Sequence, residues 1–146
     1  MSWQRQVLRV NLTTGICKPE PLNMAWAQEY LGTRGLATKY LWESMDPSAD
    51  PMGPENVLIF ATGPLTGTMA STSGRYAVVT KGPLTGAIAC SNSGGKFGAE
   101  LKYAGYDLLL IEGRSEVPVY LLIQDENVTL EPADEIWGAT VWNTED

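Results

Sequence analysis

Short apolar runs, broken by turn residues, follow one another along most of the chain. Runs that alternate in polarity or are continuously apolar predict strands at residues 6–12, 16–20, 57–61, 76–80, 107–112, 117–124 and 128–130. Apolar residues at helical spacing predict helices that begin after Asn23 and end at Gly32, run from Leu36 to the Asp46–Pro47 pair, and span residues 96–103. Many short strands with a few short helices indicate a mixed α+β, sheet-rich fold.

The length of the chain suits a single domain. A chain of 146 residues is within the usual size of one domain and can build one compact core. Near its end, Ile136, Trp137 and Trp142 are typical of the approach to another packed element. We therefore expect residues 1–146 to form one domain that is incomplete at its C-terminal end.

The charge balance argues against a nucleic-acid partner. The formal net charge is −7, and the ten Lys and Arg residues are scattered, whereas phosphate neutralisation needs them clustered. No apolar run reaches the roughly 20 residues that a membrane-spanning helix requires. The first residues lack the apolar centre of a signal peptide. We therefore expect a cytoplasmic protein that has no membrane span and binds no nucleic acid.

The chain is poor in the side chains that usually carry catalysis or bind metals. It contains no His, which removes the commonest general base and metal ligand. Its only cysteines, Cys17 and Cys90, cannot build a four-thiolate cluster site by themselves. We expect Cys17 to be a strand residue and Cys90 to be a small buried residue at a strand end.

A short repeat marks the middle of the chain. The pentapeptide GPLTG occurs at residues 63–67 and again at 82–86, and each copy is followed by a Ser-Gly pair, Ser73-Gly74 and Ser93-Gly94. Pro and Gly at these places are typical of turns that link strands. The small residues that follow can form backbone concavities that hold anionic groups, and Arg75 adds a donor fork suited to phosphate or to the edge of a heterocycle.

Each of these residues also has a plainer interpretation. The pentapeptides could be two ordinary turns, Arg75 a surface ion pair, and Asn92 a turn residue bonded to its own backbone. Glu100 and Lys102 are expected on the solvated face of a short helix. Generic nucleotide motifs do not fit either, because Phe97 stands where a P-loop requires Ser or Thr.

Longer segments are more specific than these motifs, and they resemble the aldehyde ferredoxin oxidoreductase family. The resemblance runs in order along nearly the whole chain, through RVNLTTG at residues 9–15, LGTRGLATKYL at 31–41, ATGPLTGT at 61–68, SGRYAVVTKGPLTG at 73–86, SNSGGKFGAELKYAGYD at 91–107 and the closing IWG. It implies the family's N-terminal domain, a base of β-sheets on which a pterin cofactor lies.

The resemblance also implies the cofactors. In this family a tungsten or molybdenum atom is held by the dithiolene sulfurs of two pterins, whose phosphates meet at a magnesium ion, and a [4Fe-4S] cluster carries electrons to ferredoxin. Aldehydes are oxidised to carboxylic acids. Because such a cofactor brings its own sulfur ligands, the absence of His and the two ordinary Cys are compatible with this chemistry.

Residue by residue, the resemblance implies a small set of cofactor contacts. Arg75 is expected to donate to the pterin or its phosphate, and Gly94 to permit close approach of the backbone. Asn92 is expected to offer its backbone carbonyl oxygen near the magnesium, an ion that prefers oxygen ligands. Ser93 and Gly95 are adjacent second choices. No catalytic residue is assigned.

The family's cluster-binding Cys residues, its second pterin-phosphate loop and its acid/base residues have no counterpart in these 146 residues. We therefore expect the isolated chain to be inactive and to depend on the remaining oxidoreductase domains or on a second chain, with a ferredoxin-like electron acceptor. One alternative is a truncated, inactive relative that serves as an assembly or interaction subunit. Another is a binder of some other phosphate-bearing ligand.

Overall fold

The computed structural model describes residues 3–145. Its strands are β1 (Gln6–Asn11), β2 (Ile16–Pro21), β3 (Val57–Thr62), β4 (Tyr76–Lys81), β5 (Ile88–Ser93), β6 (Leu108–Glu112), β7 (Val119–Gln124) and β8 (Asn127–Pro132). Its helices are α1 (Met24–Tyr30), α2 (Thr33–Ser44), α3 (Phe97–Tyr103) and α4 (Val141–Glu145). These elements confirm the sheet-rich α+β fold class. None of the helices within residues 3–145 has the length and apolar character needed to cross a bilayer.

Six of the strands form one sheet in the order β2–β1–β6–β3–β4–β5. Strands β1 and β6 run parallel, whereas the other neighbouring pairs of this sheet are antiparallel. Strands β7 and β8 pair with each other in a separate hairpin. Strand β5 is therefore an edge of the main sheet, and all six of its residues are exposed.

Each face of the main sheet carries its own apolar core, because alternate side chains of a strand point to opposite faces. Helices α1 and α2 cover one face, where the buried residues are Val7, Leu22, Ala27, Leu36, Ala37, Tyr40, Leu41, Val57, Ile59, Ala61, Ala77, Val79, Leu108 and Leu110. Helix α3 and the β7–β8 hairpin cover part of the other face, around Leu8, Val10, Leu101, Tyr106 and Leu109.

The first helix begins as predicted but ends differently. The side-chain oxygen of Asn23 accepts a hydrogen bond from the Trp26 amide at 3.2 Å, which confirms the cap. The residue that takes positive φ at the C-terminus is Leu31, whereas Gly32 is extended, with φ of 169°. A Cβ on Gly32 would lie 2.8 Å from the Thr62 carbonyl oxygen. Glycine is required here for close packing and not for helix closure.

The prediction that Lys102 lies on a solvated helix face is wrong. Its side chain is 3% exposed, and its Nζ donates to Asp107 Oδ1 at 2.6 Å. The Asp107 carboxylate also accepts from the backbone amides of Gln4 and Arg5, at 3.1 and 2.7 Å. A buried carboxylate is tolerated when its oxygens are paired in this way. The Asp107 carboxylate therefore joins Lys102 of α3 to the residues that precede β1.

The prediction for Cys90 is also wrong, while Cys17 lies in a strand as predicted. Cys90 is exposed because it lies on the edge strand β5, which no described element covers on its outer side. Cys17 is partly buried in β2 against the α3 face of the sheet, and this burial raises the pKa of its thiol. The two cysteines therefore differ in their access to solvent.

We expect Lys102→Met to lower the free energy of unfolding by about 3–5 kcal/mol, because it leaves the Asp107 charge buried without its cation. Urea unfolding of the 146-residue chain would measure this loss. Lys39→Met is a matched control, since Lys39 forms an exposed pair with Glu43 within one helix and should have little effect. Equal losses in the two variants would show that burial does not set the strength of the Lys102 pair.

A thiol reagent should label Cys90 about tenfold faster than Cys17 at neutral pH, because Cys90 is exposed and the raised pKa of Cys17 lowers its thiolate fraction. The labelling rate of Cys17 should rise as the pH approaches its raised pKa. Timed labelling followed by peptide mass spectrometry distinguishes the two sites. Replacement by Cys90→Ser should remove the fast phase, and a fast phase that persists would contradict the structure.

Candidate functional site

The first GPLTG segment is a compact turn at the end of β3. The Thr66 amide donates to the Gly63 carbonyl oxygen at 3.2 Å, and the Gly63 amide donates to the Thr66 hydroxyl at 3.0 Å. The same hydroxyl donates to the carbonyl oxygen of Arg75 at 3.3 Å, so the turn is connected to the residue that precedes β4. Thr66 is only 2% exposed. Thr66 is thus part of the packed interior, whereas Leu65 of the same turn is 57% exposed.

Three glycines show how tightly this turn packs between two helices. A Cβ on Gly32, at the start of α2, would lie 3.0 Å from Gly63 Cα. Gly67, with φ of +76°, would place a Cβ 3.4 Å from Lys102 Cβ. On the same α3 side as Lys102, a Cβ on Gly98 would lie 3.3 Å from Thr66 Cγ2. The neighbours of the turn leave little room for larger residues.

The second GPLTG segment is an exposed hairpin turn between β4 and β5. The Gly82 amide donates to the Ala87 carbonyl oxygen at 2.8 Å, and the Gly86 amide donates to the Gly82 carbonyl oxygen at 2.9 Å. Gly86 has φ of +65°, a conformation that favours glycine, and open space surrounds its missing Cβ. The two copies therefore have similar turn chemistry but opposite surroundings.

Strand register brings the two small-residue loops together. The last pair of the β4–β5 ladder is Tyr76 with Ser93, so Arg75 and Gly94 lie just beyond the same end of the two strands. A Cβ on Gly74 would lie 3.5 Å from the Gly95 carbonyl oxygen. The structure thus places the loop that ends at Arg75 against residues 94–95.

Asn92 and Ser93 lie in β5 and not in a loop, so the alternative in which Asn92 bonds its own backbone in a turn is wrong. Antiparallel pairs alternate between hydrogen-bonded and non-hydrogen-bonded, and the Gly82–Ala87 bond fixes the phase of this ladder. Asn92 and its partner Ala77 are then a non-hydrogen-bonded pair. The Asn92 backbone carbonyl consequently points away from β4, toward the open edge of the sheet.

Arg75 is exposed, and within residues 3–145 no carboxylate lies within ion-pair distance of its guanidinium. The alternative in which Arg75 forms a surface ion pair is therefore not seen in the part of the chain that the structure describes. Gly94 and Gly95 have open space where a Cβ would be, and Gly95 has φ of +82°. Arg75, which has no carboxylate partner within residues 3–145, thus lies beside the accessible backbone of Gly94 and Gly95.

An aromatic cluster lies next to this end of the sheet. The rings of Phe60, Tyr76 and Phe97 approach one another, with centroids 4.9 Å apart for Tyr76 and Phe97 and 5.6 Å apart for Phe60 and Phe97. Ser93 is the cross-strand partner of Tyr76 and shares its face of the sheet. The cluster connects β3, β4 and the start of α3, and so supports both loops from one side.

Sequence reasoning missed two residues that shape this region, Thr66 and Gly98. Nothing in the pentapeptide distinguishes the buried Thr66 from the exposed Thr85, because both stand in the same five letters. Gly98 is an ordinary helix residue by pattern, and only its distance from the Gly74 carbonyl oxygen, 3.3 Å from an added Cβ, shows why glycine is needed there.

The arrangement offers donors and backbone groups but no protein-built metal site. Among residues 3–145 there is no group of three or more His, Cys, Asp or Glu side chains placed to hold a metal ion. Arg75, Gly94 and Gly95 at this end of the sheet are exposed. A cleft of about 500 Å³ lies elsewhere, against Tyr103, Tyr106, Asp125 and Glu126 among others.

The comparisons with known proteins cover nearly the whole chain. The family model for the aldehyde ferredoxin oxidoreductase N-terminal domain matches residues 7–146. The tungsten-containing aldehyde ferredoxin oxidoreductase of Pyrococcus abyssi is 58% identical over 96% of this chain, and that of Pyrococcus furiosus is 55% identical over 99%. The chain spans only 23% and 24% of the length of these two relatives.

A solved structure shows the same fold. The active site complex BamBC of benzoyl coenzyme A reductase, in complex with 1,5-dienoyl-CoA, superposes with a TM-score of 0.90 at 38% identity. The match covers 92% of this chain and 21% of that one. The matched family model and the high identities leave one conclusion: this chain belongs to the aldehyde ferredoxin oxidoreductase family and corresponds to its N-terminal domain.

Proposed function

We propose that this chain is the pterin-binding N-terminal domain of a tungsten-dependent aldehyde oxidoreductase and that it binds one side of a bis-pterin cofactor. The observation that carries the proposal is the position of Arg75 beside Gly94 and Gly95, at the open end of β4 and β5, in a chain 58% identical to a tungsten-containing relative. The proposal includes molybdenum in place of tungsten.

The residues present fit such a cofactor. A pterin phosphate is an anion, and the guanidinium of Arg75 is exposed without a carboxylate partner in residues 3–145. A magnesium ion between two phosphates prefers oxygen ligands, and the Asn92 backbone carbonyl faces the open sheet edge. The accessible backbone at Gly94 and Gly95, with Ser93 beside it, admits a flat ligand at close range.

When bound, the cofactor supplies the metal, its sulfur ligands and the two-electron oxidation of an aldehyde to a carboxylic acid. The part of this chain is to bind and orient that group: Arg75 donates hydrogen bonds, Asn92 offers an oxygen and the glycines keep the backbone accessible. No residue of this chain is assigned to proton transfer, and the two Cys cannot hold a [4Fe-4S] cluster.

Catalysis therefore depends on parts of the oxidoreductase beyond these 146 residues. The proposal includes the remaining domains, on the same or a second chain, a [4Fe-4S] cluster bound there, and a ferredoxin-like electron acceptor. The cytoplasmic location expected from the sequence remains a prediction. By itself the chain should show no aldehyde oxidation.

Replacing Arg75 with Ala in the enzyme that contains this chain should lower its tungsten and pterin content about tenfold, because charged hydrogen bonds to the cofactor are lost. Metal analysis and pterin fluorescence after purification measure the content. Arg114→Ala is a matched control, because Arg114 is also exposed but follows Glu112, at the opposite end of the sheet from Tyr76. Full occupancy in the Arg75 variant would overturn the assigned role.

A further inference from the structure

The identical pentapeptides place two threonines in different environments. Thr66 in the first copy is 2% exposed, whereas Thr85 in the second is exposed on the β4–β5 hairpin. The Thr85 hydroxyl accepts only a local bond, from the Ala87 amide at 3.3 Å. The burial of Thr66 therefore does not come from the turn motif and reflects what the first turn packs against.

The hydrogen bonds of Thr66 cross the loop that leads to Arg75. A hydroxyl has one hydrogen to donate, and Thr66 donates it to the Arg75 carbonyl oxygen at 3.3 Å while accepting from the Gly63 amide at 3.0 Å. The Thr66 side chain thus bonds both ends of the loop, at Gly63 after β3 and at Arg75 before β4. Because this hydroxyl is buried, water cannot replace either bond without opening the packing.

The methyl group of Thr66 lies against Gly98, near the start of α3. A Cβ added to Gly98 would lie 3.3 Å from Thr66 Cγ2 and 3.3 Å from the Gly74 carbonyl oxygen. The residue that precedes Arg75 is therefore close to both Thr66 and the start of α3. Thr66 thus lies where the first turn, the Arg75 loop and α3 meet.

The loop itself has mainly local side-chain bonds. The Thr68 hydroxyl donates to the Leu65 carbonyl oxygen and the Thr72 hydroxyl donates to the Ser71 carbonyl oxygen, each at 2.7 Å. Met69 is fully exposed, and Thr72 has a positive φ of 57°. These contacts shape the loop but do not connect it to the place where Arg75 enters β4.

We propose that Thr66 is a positioning residue for Arg75: its buried hydroxyl fixes the Arg75 backbone, and so holds the guanidinium ready for the anionic group of the pterin cofactor. This inference rests on the proposed function. Holding a binding group in place before the ligand arrives removes part of the ordering cost of binding. The exposed Thr85 has no such role, although its sequence context is identical.

Two replacements of Thr66 distinguish the effect of its hydroxyl from the effect of its shape, and a replacement of Thr85 is the control. Thr66→Val keeps the shape and removes the hydrogen bonds, Thr66→Ser keeps the hydroxyl, and Thr85→Val makes the same change in the other copy. In the enzyme that contains this chain, we expect Thr66→Val to lower tungsten and pterin content about fivefold, as the loss of a neutral hydrogen bond implies. Thr66→Ser and Thr85→Val should keep normal content.

A second readout needs no cofactor. Trypsin cleaves after Arg75, and cleavage requires the surrounding backbone to open. In the metal-free 146-residue chain, Thr66→Val should speed cleavage at Arg75 about fivefold, because the bond to the Arg75 carbonyl is absent. Thr66→Ser and Thr85→Val should be cleaved at the unaltered rate. Circular dichroism verifies that each variant is folded.

Several outcomes would overturn the inference. Unchanged cleavage and content in Thr66→Val would do so, as would equal losses in Thr66→Val and Thr85→Val. If Thr66→Val does not fold, Thr66→Ser decides, since loss of content with the hydroxyl present contradicts the role given to it. The proposed function fails separately: if the unaltered enzyme that contains this chain carries no metal-bound pterin, the function is wrong. If Arg75→Ala keeps its cofactor, the role of Arg75 is wrong, whereas if only Thr66→Val keeps it, positioning by Thr66 is wrong.

Discussion

Asp107 holds together the parts of the structure on which the candidate site depends. Its buried carboxylate pairs with Lys102 of α3 and accepts from the amides of Gln4 and Arg5, ahead of β1. Its carbonyl oxygen accepts from both the amide and the hydroxyl of Thr62, at 3.0 and 2.8 Å. Thr62 is the last residue of β3, immediately before the first GPLTG turn. One residue thus fixes the end of β3 and the position of α3, and the first turn packs between them.

The two GPLTG copies differ in burial because of these bonds to Asp107. The first copy begins where Asp107 holds the end of β3, so its residues contact α2 and α3, and Thr66 becomes buried. The second copy connects β4 to an edge strand, where no described element packs against it. Identical local sequences therefore give similar hydrogen bonding, while burial is decided by the elements on either side. Local propensity sets the turn, and tertiary packing sets its role.

Apolar periodicity predicted seven of the eight strands and three of the four helices of residues 3–145, because it is a local property that the sheet preserves. It missed the short helix α4 and the edge strand β5, whose six residues are all exposed and so lack an apolar pattern. The resemblance assigned Arg75 and Gly94 to one cofactor, whereas their proximity follows from the β4–β5 register, which the sequence alone does not show. The sequence could not predict the burial of Lys102, whose partner Asp107 lies beyond the Gly105 turn, nor the exposure of Cys90, which depends on β5 being the edge. Roles toward a cofactor, carried over by resemblance for Arg75 and Asn92, stay predictions.

Under the proposed function, the chemistry of the cofactor explains why such a plain set of residues is sufficient. A metal that arrives with its own sulfur ligands requires no His or Cys from the protein, so recognition can rest on one guanidinium and on backbone groups. Backbone donors and acceptors are available only where a ladder leaves them unpaired, as at the outward-facing carbonyl of Asn92 on the edge strand. Binding of this kind depends on where the backbone lies more than on which side chains it carries. Residues that do not touch the cofactor, such as those that fix the first turn and α3, then contribute to binding by holding that backbone in place.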